Sequence, residues 1–397
     1  MADAVAARPA VADLSKRAER IGTVARERAL ETERARRVPG ELIDMMREAH
    51  LFRTMQPSRY GGFEYGYDVF VELVAAIASG DGSTGWVYSL GAVHQWVIAC
   101  YPSEAQDEVW QGDMDAIACG SYAPAGTAEA VAGGYRLSGR WSFASGCDNT
   151  GWALLGGIIP LRQGPAPGFF LVPRRDYDID DDWNPMGLAG TGSKTVVVTD
   201  KVVPPCRALS FAELLTGRTP GAAINPNPLY RQPMLAVVPH CLVSPALGMA
   251  RGALAAFVEH AGARATRGAV AGAHNRMAEF ATVQMRVAEA AASIDAAQLM
   301  IRRDLRDTLD IAAAGREVDL DVRIRNRLTH TFATRLLIQA VDAVFLACGG
   351  SALGLHHPVQ RFWRDIHAVG SHISLNWDAV ATMYGQHVFG LQPKGQY

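Results

Sequence analysis

The chain has 397 residues, 49% of them hydrophobic, and its 38 Lys and Arg nearly balance 40 Asp and Glu, for a formal net charge of −2. That apolar content can bury more than one core, so two or three domains are expected. Both signs of charge are interspersed, which excludes the electrostatic footprint of a nucleic-acid binder or of a protein held on an anionic membrane.

The opening "MADAVAARPAVADLSKRAER" lacks the continuous apolar core of a secretory signal, so a cytoplasmic location is the expectation. From Val11 to about Trp110 the pattern is helical, with Pro39 at the entry to "PGELIDMMREAHLF" and a turn-rich "PSRYGGFEYGYD" before "VFVELVAAIASG". The most apolar stretch, "GWVYSLGAVHQWVIACY" from Gly85 to Tyr101, carries His94 and Gln95 at its centre. It is shorter than the roughly 20 residues a membrane span needs and reads as a buried helix of a soluble protein.

Between Ile117 and about Pro205 the character changes to short β-type runs bounded by Gly, Asp and Pro: "IACGSYA", "EAVAGGYRLSG", "RWSFASG", "WALLGGII", "GFFLVPR" and "KTVVVTDKVV". Within them "GLAGTGSKTVVV", residues 187–198, approaches a phosphate-binding loop but fails on spacing. Ser193 stands between Gly192 and Lys194, and the β-branched residues that follow favour a strand where such a loop needs a helix. After the Pro- and Asn-rich "TPGAAINPNPLYRQP" at 219–233, long helical patterns return, notably "FATVQMRVAEAAASIDAAQLMIRR" and "RIRNRLTHTFATRLLIQAVDAVFLACGG".

Six scattered cysteines, at 100, 119, 147, 206, 241 and 348, form no CxxC pair and read as reduced, mostly buried thiols. No cluster has metal-ligand spacing, and His356–His357 ahead of Pro358 reads as a loop feature, so no metal is expected. No GxGxxG follows a strand, which speaks against built-in NAD(P)H binding.

The order of segments, with "YRLSGRWSFASG" in one strand pair and "WNPMGLAGTGSKTVVVTDKVVP" in the next, resembles the acyl-CoA dehydrogenase superfamily over nearly the whole chain. The resemblance implies a mainly α fold with a central β domain: an N-terminal helical domain over 1–115, a small β-barrel domain over 116–225 and a C-terminal four-helix bundle over 226–397. In that superfamily the "GTGS" segment is a turn shaping the flavin and substrate region. Dehydrogenases of one large group place a catalytic Glu shortly after an "RDxR" element; here "RDIHAVGSHISLNWD" puts His372 and Ile373 at that position. This resembles the branch of reduced-flavin, two-component monooxygenases that includes the 4-hydroxyphenylacetate and 3-hydroxy-9,10-secoandrostatrienedione hydroxylases.

That resemblance implies a homotetrameric oxygenase component, taking diffusible reduced FMN or FAD from a separate NAD(P)H-flavin reductase. With O2 it would hydroxylate a small aromatic, phenolic substrate through a flavin C4a-hydroperoxide. An N- or S-oxygenating monooxygenase of the same fold, or an acyl-CoA dehydrogenase, is the alternative. The catalytic residues implied are His372, His94 and Ser145, with His372 as base, since a neutral imidazole takes a proton near pH 7. Substrate contact is implied for His94, Ser121 and His372. Flavin contact is implied for Trp86, Gly120, Ser121, Tyr122, Phe143, Ala144, Ser145 and Ser371. Arg264, more than Arg267, offers a cation for the flavin phosphate. Gly349 and Gly350, in "ACGGSALG", supply either backbone amides for a phosphate or ring edge, or a plain helix cap.

Overall fold

The computed structural model describes residues 8–266 and 275–397. Six helices come first: α1 Val11–Glu27, α2 Ala29–Ala35, α3 Gly40–Glu48, α4 Tyr67–Ala78, α5 Gly82–Ala99 and α6 Ser103–Trp110. Seven strands follow: β1 Ala118–Val131, β2 Gly134–Ala144, β3 Trp152–Leu161, β4 Gly164–Pro173, β5 Asp178–Asp180, β6 Lys194–Val203 and β7 Ala208–Ser210. Short helices α7 Phe211–Thr216, α8 Pro220–Ile224 and α9 Met234–Val237 then lead into α10 His240–Ala263, α11 Ala281–Ala313, α12 Leu320–Cys348, α13 Pro358–Gly370 and α14 Trp377–Val388. The fold is mainly helical with one central sheet domain, as the residue patterning implies.

α5 is the pivot. Asp81 caps its start by accepting from the Thr84 N–H at 2.8 Å, as a short carboxylate ahead of a first turn is suited to do. Its apolar residues surround the whole helix instead of marking one stripe, the pattern of a helix packed on every side. It sits between α4, α10, α13 and β1.

The sheet runs β5-β6-β2-β1-β3-β4-β7. β1 takes in "IACGSYA" from Ala118 on and the first three residues of "EAVAGGYRLSG", whose remainder turns into β2, and it changes partners along its length. Ala118 to Ser121 pair parallel with β3, whereas Gly126 to Val131 pair antiparallel with β2. Pro124, which has no N–H to give a ladder, lies in the switch. The β1–β2 ladder therefore ends at Gly126 and Gly139, and the two strands splay beyond it. β2 also carries a register shift against β6 between Trp141 and Ala144, with Phe143 left-handed at φ 64° inside it. A bulge of this kind bends a strand and re-aims its side chains.

The phosphate-loop resemblance ends here. "KTVVV" is β6, not a helix, and Lys194 is buried in an ion pair with Asp148 at 2.9 Å. The connection at 219–233 is held to the body of the protein, for Asn225 Nδ2 donates to the Ala99 carbonyl at 2.9 Å.

Candidate active site

Trp86 and His94 lie on one face of α5, eight residues or about 12 Å apart along the axis. Midway between them, at the i+4 position, Leu90 is the one residue of α5 that is not buried. A helix otherwise enclosed is open at that point. The candidate cleft is placed along this face, where α5 packs on β1 near the end of the β1–β2 ladder.

At the inner end, His94 Nδ1 meets the Ala118 carbonyl oxygen at 2.7 Å. A carbonyl only accepts, so Nδ1 carries the proton and Nε2 holds a lone pair. That Nε2 is buried and has no hydrogen-bond partner among the described residues. Burial pushes the imidazole down to about 4, against the opposing effect of the Ala118 hydrogen bond, so the ring is neutral at physiological pH. Gly120 makes room for it, because a Cβ there would lie 2.9 Å from His94 Cε1 and 3.0 Å from Nε2. The Tyr122 ring is centred 6.3 Å from that of His94 and packs edge-on to Phe169 at 4.6 Å. Its hydroxyl is likewise buried without a partner among the described residues, and burial raises its pKa far above the phenol range.

At the outer end, the Trp86 indole donates to Ser145 Oγ at 3.1 Å and is centred 6.1 Å from the His372 ring. Ser145 sits at 2.6 Å from Ser193 Oγ, which is 2.6 Å from Thr191 Oγ1. His372 follows α13 and caps the next short turn, its Nδ1 accepting from the Ser374 N–H at 3.2 Å. A neutral His372 thus carries its proton on Nε2, the reverse of His94. Burial, then the Arg327 guanidinium, lower it to about 4. Ser121 donates to the Ser142 carbonyl at 2.8 Å, bridging the splay. Ala144 is fully buried, while Phe143 beside it is 70% exposed, its ring edge-on to Trp183 at 5.9 Å. The exposed Ser371 gives its hydroxyl to His367 O at 3.0 Å.

The implied phosphate residues form a second cluster. Arg264 Nη1 lies within hydrogen-bond distance of Ser351 Oγ, of the Cys348 carbonyl at 3.3 Å and of His260 Nε2 at 3.2 Å. Gly349, at φ 62°, ends α12, and Gly350 continues into a short turn. Arg267 lies outside the described residues. His357 caps α13, and no metal-binding group of three His, Cys, Asp or Glu occurs among the described residues. A separate groove of about 640 Å³, bordered by Arg251, Leu254, Val258, Ile294 and Gln298, contains none of the implied site residues.

Sequence reasoning placed the "GTGS" turn, with Thr191 and Ser193, in the flavin region but gave neither residue a role, and it missed Leu90. The i, i+4, i+8 spacing from Trp86 to His94 could have found Leu90; nothing in the sequence aligns Ser193 with Ser145.

Whether a flavin and an aromatic ring suit this site can be judged from the chain itself. Phe143 is an exposed aromatic, Leu90 interrupts the burial of α5, and the buried polar atoms of His94 and Tyr122 lack partners among the described residues and would be satisfied by a ligand's hydrogen-bonding edge. The residues fit.

Comparison with known proteins agrees. The acyl-CoA dehydrogenase N-terminal domain matches residues 17–115, and the acyl-CoA dehydrogenase C-terminal domain matches 240–377. The oxygenase component of an FADH(2)-dependent resorcinol hydroxylase from Rhizobium sp. (strain MTP-10005) is 48% identical, over 94% of this chain and 93% of its own. The oxygenase subunit HsaA of a flavin-dependent monooxygenase from Rhodococcus jostii (strain RHA1) is 42% identical, over 92% and 95%. A crystal structure of 3-HSA hydroxylase from Rhodococcus sp. RHA1 superposes with a TM-score of 0.92 at 39% identity, covering 97% of this chain and 98% of the other.

Proposed function

The chain belongs to the acyl-CoA dehydrogenase family, among its flavin-dependent monooxygenase oxygenase components, and from that premise we propose that it hydroxylates a phenolic ring. Reduced flavin would be supplied by a separate NAD(P)H-flavin reductase; the Rhizobium relative's use of FADH(2) favours FAD over FMN. When bound, the flavin supplies the electrons and the oxygen-activating chemistry.

One observation carries the reading: the bare Nε2 of His94, locked as an acceptor in a dry interior. A phenolic O–H is its complement. Accepting that proton's hydrogen bond raises electron density on the ring, which makes it a better nucleophile. The Tyr122 ring lies beside that of His94 and its hydroxyl is unpartnered among the described residues, so it would share in orienting the substrate oxygen. His372 closes the outer end against Trp86 and presents an N–H donor; acting as base would require it to release Ser374. Ser145, just past the end of β2, would contact the flavin, and Phe143, Ala144, Gly120 and Ser121 would help hold it. The surrounding apolar walls exclude water, which would otherwise divert O2 to peroxide.

Arg264, Gly349 and Gly350 lie at the far ends of α10 and α12, where they would meet the flavin's phosphate end or that of a neighbouring subunit. A homotetramer is proposed on the apolar side chains left exposed near the C-terminus, including Ile373, Val388, Phe389 and Leu391. Light scattering on the full chain reads the subunit number.

The test of function is turnover with a supplied reductase, O2 and a set of phenols, with product and H2O2 counted against O2 consumed. Hydroxylated product from the native chain supports the reading. Peroxide alone with every phenol tried counts against it.

A further inference from the structure

The hydroxyl chain at the outer end of the cleft admits one assignment of its protons. At its far end the Leu188 carbonyl can only accept, and it takes the Thr191 hydroxyl at 2.7 Å. A hydroxyl has one proton. Thr191 Oγ1 must therefore accept from Ser193, and Ser193, its own proton used, must accept from Ser145, each at 2.6 Å. At the near end the Trp86 indole can only donate, and it donates to Ser145 Oγ at 3.1 Å. Both ends are thus pinned, one by a pure acceptor and one by a pure donor.

The pinning is firm. Leu188 is held in the left-handed region at φ 55°, its N–H fixed by Asp365 Oδ1 at 2.6 Å, and the Trp183 indole donates to the same Leu188 oxygen at 3.3 Å. Ser145, Ser193 and Thr191 are all buried, so water does not compete for their protons. Ser145 is left with a spare lone pair and no proton to offer.

Resting on the reading of this cleft as a flavin site, we infer that the ordered chain makes Ser145 a fixed hydrogen-bond acceptor, and that Ser193 and Thr191 are positioning residues by which the protein selects reduced over oxidised flavin. The chemistry is direct. The central-ring nitrogen of a reduced flavin carries N–H, which an acceptor satisfies; in the oxidised form the same nitrogen is a bare lone pair, which an acceptor repels. A serine free to turn its hydroxyl would serve both forms alike. An oxygenase supplied by a separate reductase needs this preference, because oxidised flavin surrounds it as the spent product.

The experiment measures dissociation constants of reduced flavin, under anaerobic conditions, and of oxidised flavin, for the native full chain and for Thr191→Val, Thr191→Ser and Ser193→Ala. The native chain is expected to bind the reduced form more tightly. Thr191→Val and Ser193→Ala each free the Ser145 proton, so each is expected to shrink the oxidised-to-reduced ratio of constants by about tenfold, the scale of one hydrogen bond exchanged for a repulsion. Thr191→Ser keeps the hydroxyl and should keep the ratio. An unchanged ratio in both hydroxyl-deleting variants overturns the proton order while leaving the flavin site standing. An equal fall in Thr191→Ser assigns the effect to packing and overturns it too. A native chain that binds no reduced flavin removes the flavin reading, and this inference with it.

Discussion

His94 and His372 stand at opposite ends of one cleft, share a basicity lowered to about 4, and expose opposite nitrogens. His94 gives its Nδ1 proton to a strand carbonyl and leaves Nε2 bare in the interior; His372 uses Nδ1 to cap a turn and leaves an N–H. The residue type and the surrounding dielectric are nearly the same. What separates them is the backbone group each ring happens to face, an N–H for one and a C=O for the other. A histidine's role in a site is therefore set by its unreactive nitrogen.

That contrast can be broken by three substitutions. The largest effect is expected from His94→Ala, which removes the imidazole acceptor proposed for the substrate proton. Product per O2 should fall by about 10²-fold or more, with reduced-flavin binding retained and H2O2 rising in its place. His372→Ala is expected to lose less, about tenfold; a larger loss there than at His94 would exchange the two roles. Gly120→Ala probes the same acceptor by crowding it, since the added Cβ would press on the His94 ring. It should lower product several-fold and destabilise the fold by about 1–3 kcal/mol in denaturant titrations.

A pH series sharpens the contrast further. With both imidazoles lowered from 6.5 to about 4, native kcat/KM should show no ionisation near the ordinary histidine value between about pH 5 and 8. A step near 6.5 that vanishes in one histidine variant would assign that residue an unshifted, solvated ring.

The smallest expected effect lies behind the cleft. Burial, and then Asp81, push the Asp365 carboxyl up from 3.8 to about 7. The native state then holds this proton more tightly than the unfolded chain does, so its contribution to stability is full below 3.8 and is lost as pH rises to about 7. Asp365→Asn keeps an acceptor for the Leu188 N–H and should flatten that decline, measured as denaturation midpoints across the range. Asp81, also raised by burial, leaves a residual slope. An unaltered decline in the Asn variant would place the titration elsewhere.

Much of this candidate site was legible because the family resemblance rests on short local motifs. Trp86, His94, Ser145 and His372 each lie in a motif whose neighbours announce a helix, a strand end or a helix exit, and the structure brings Trp86, Ser145 and His372 to one end of the cleft. Ser121, expected to touch substrate and flavin, donates to the Ser142 carbonyl, a contact its place in the chain does not announce. Gly120 does give a close approach, but the nearest group is the His94 ring. The helix–strand–helix order and the rejection of a phosphate loop at Ser193 follow from patterning and spacing along the chain, whereas the missing carboxylate at His372 is visible only through the family resemblance.

Proton direction could not be read that way. Which nitrogen of His94 is bare depends on the Ala118 carbonyl, 24 residues away, and which way the Ser145 hydroxyl points depends on Ser193, 48 residues away, and on Trp86, 59 away. Periodicity and propensity act within a few residues and so fix which elements form. Hydrogen-bond polarity is set by whichever donor or acceptor packs opposite once those elements close on one another, and only the folded chain brings them together.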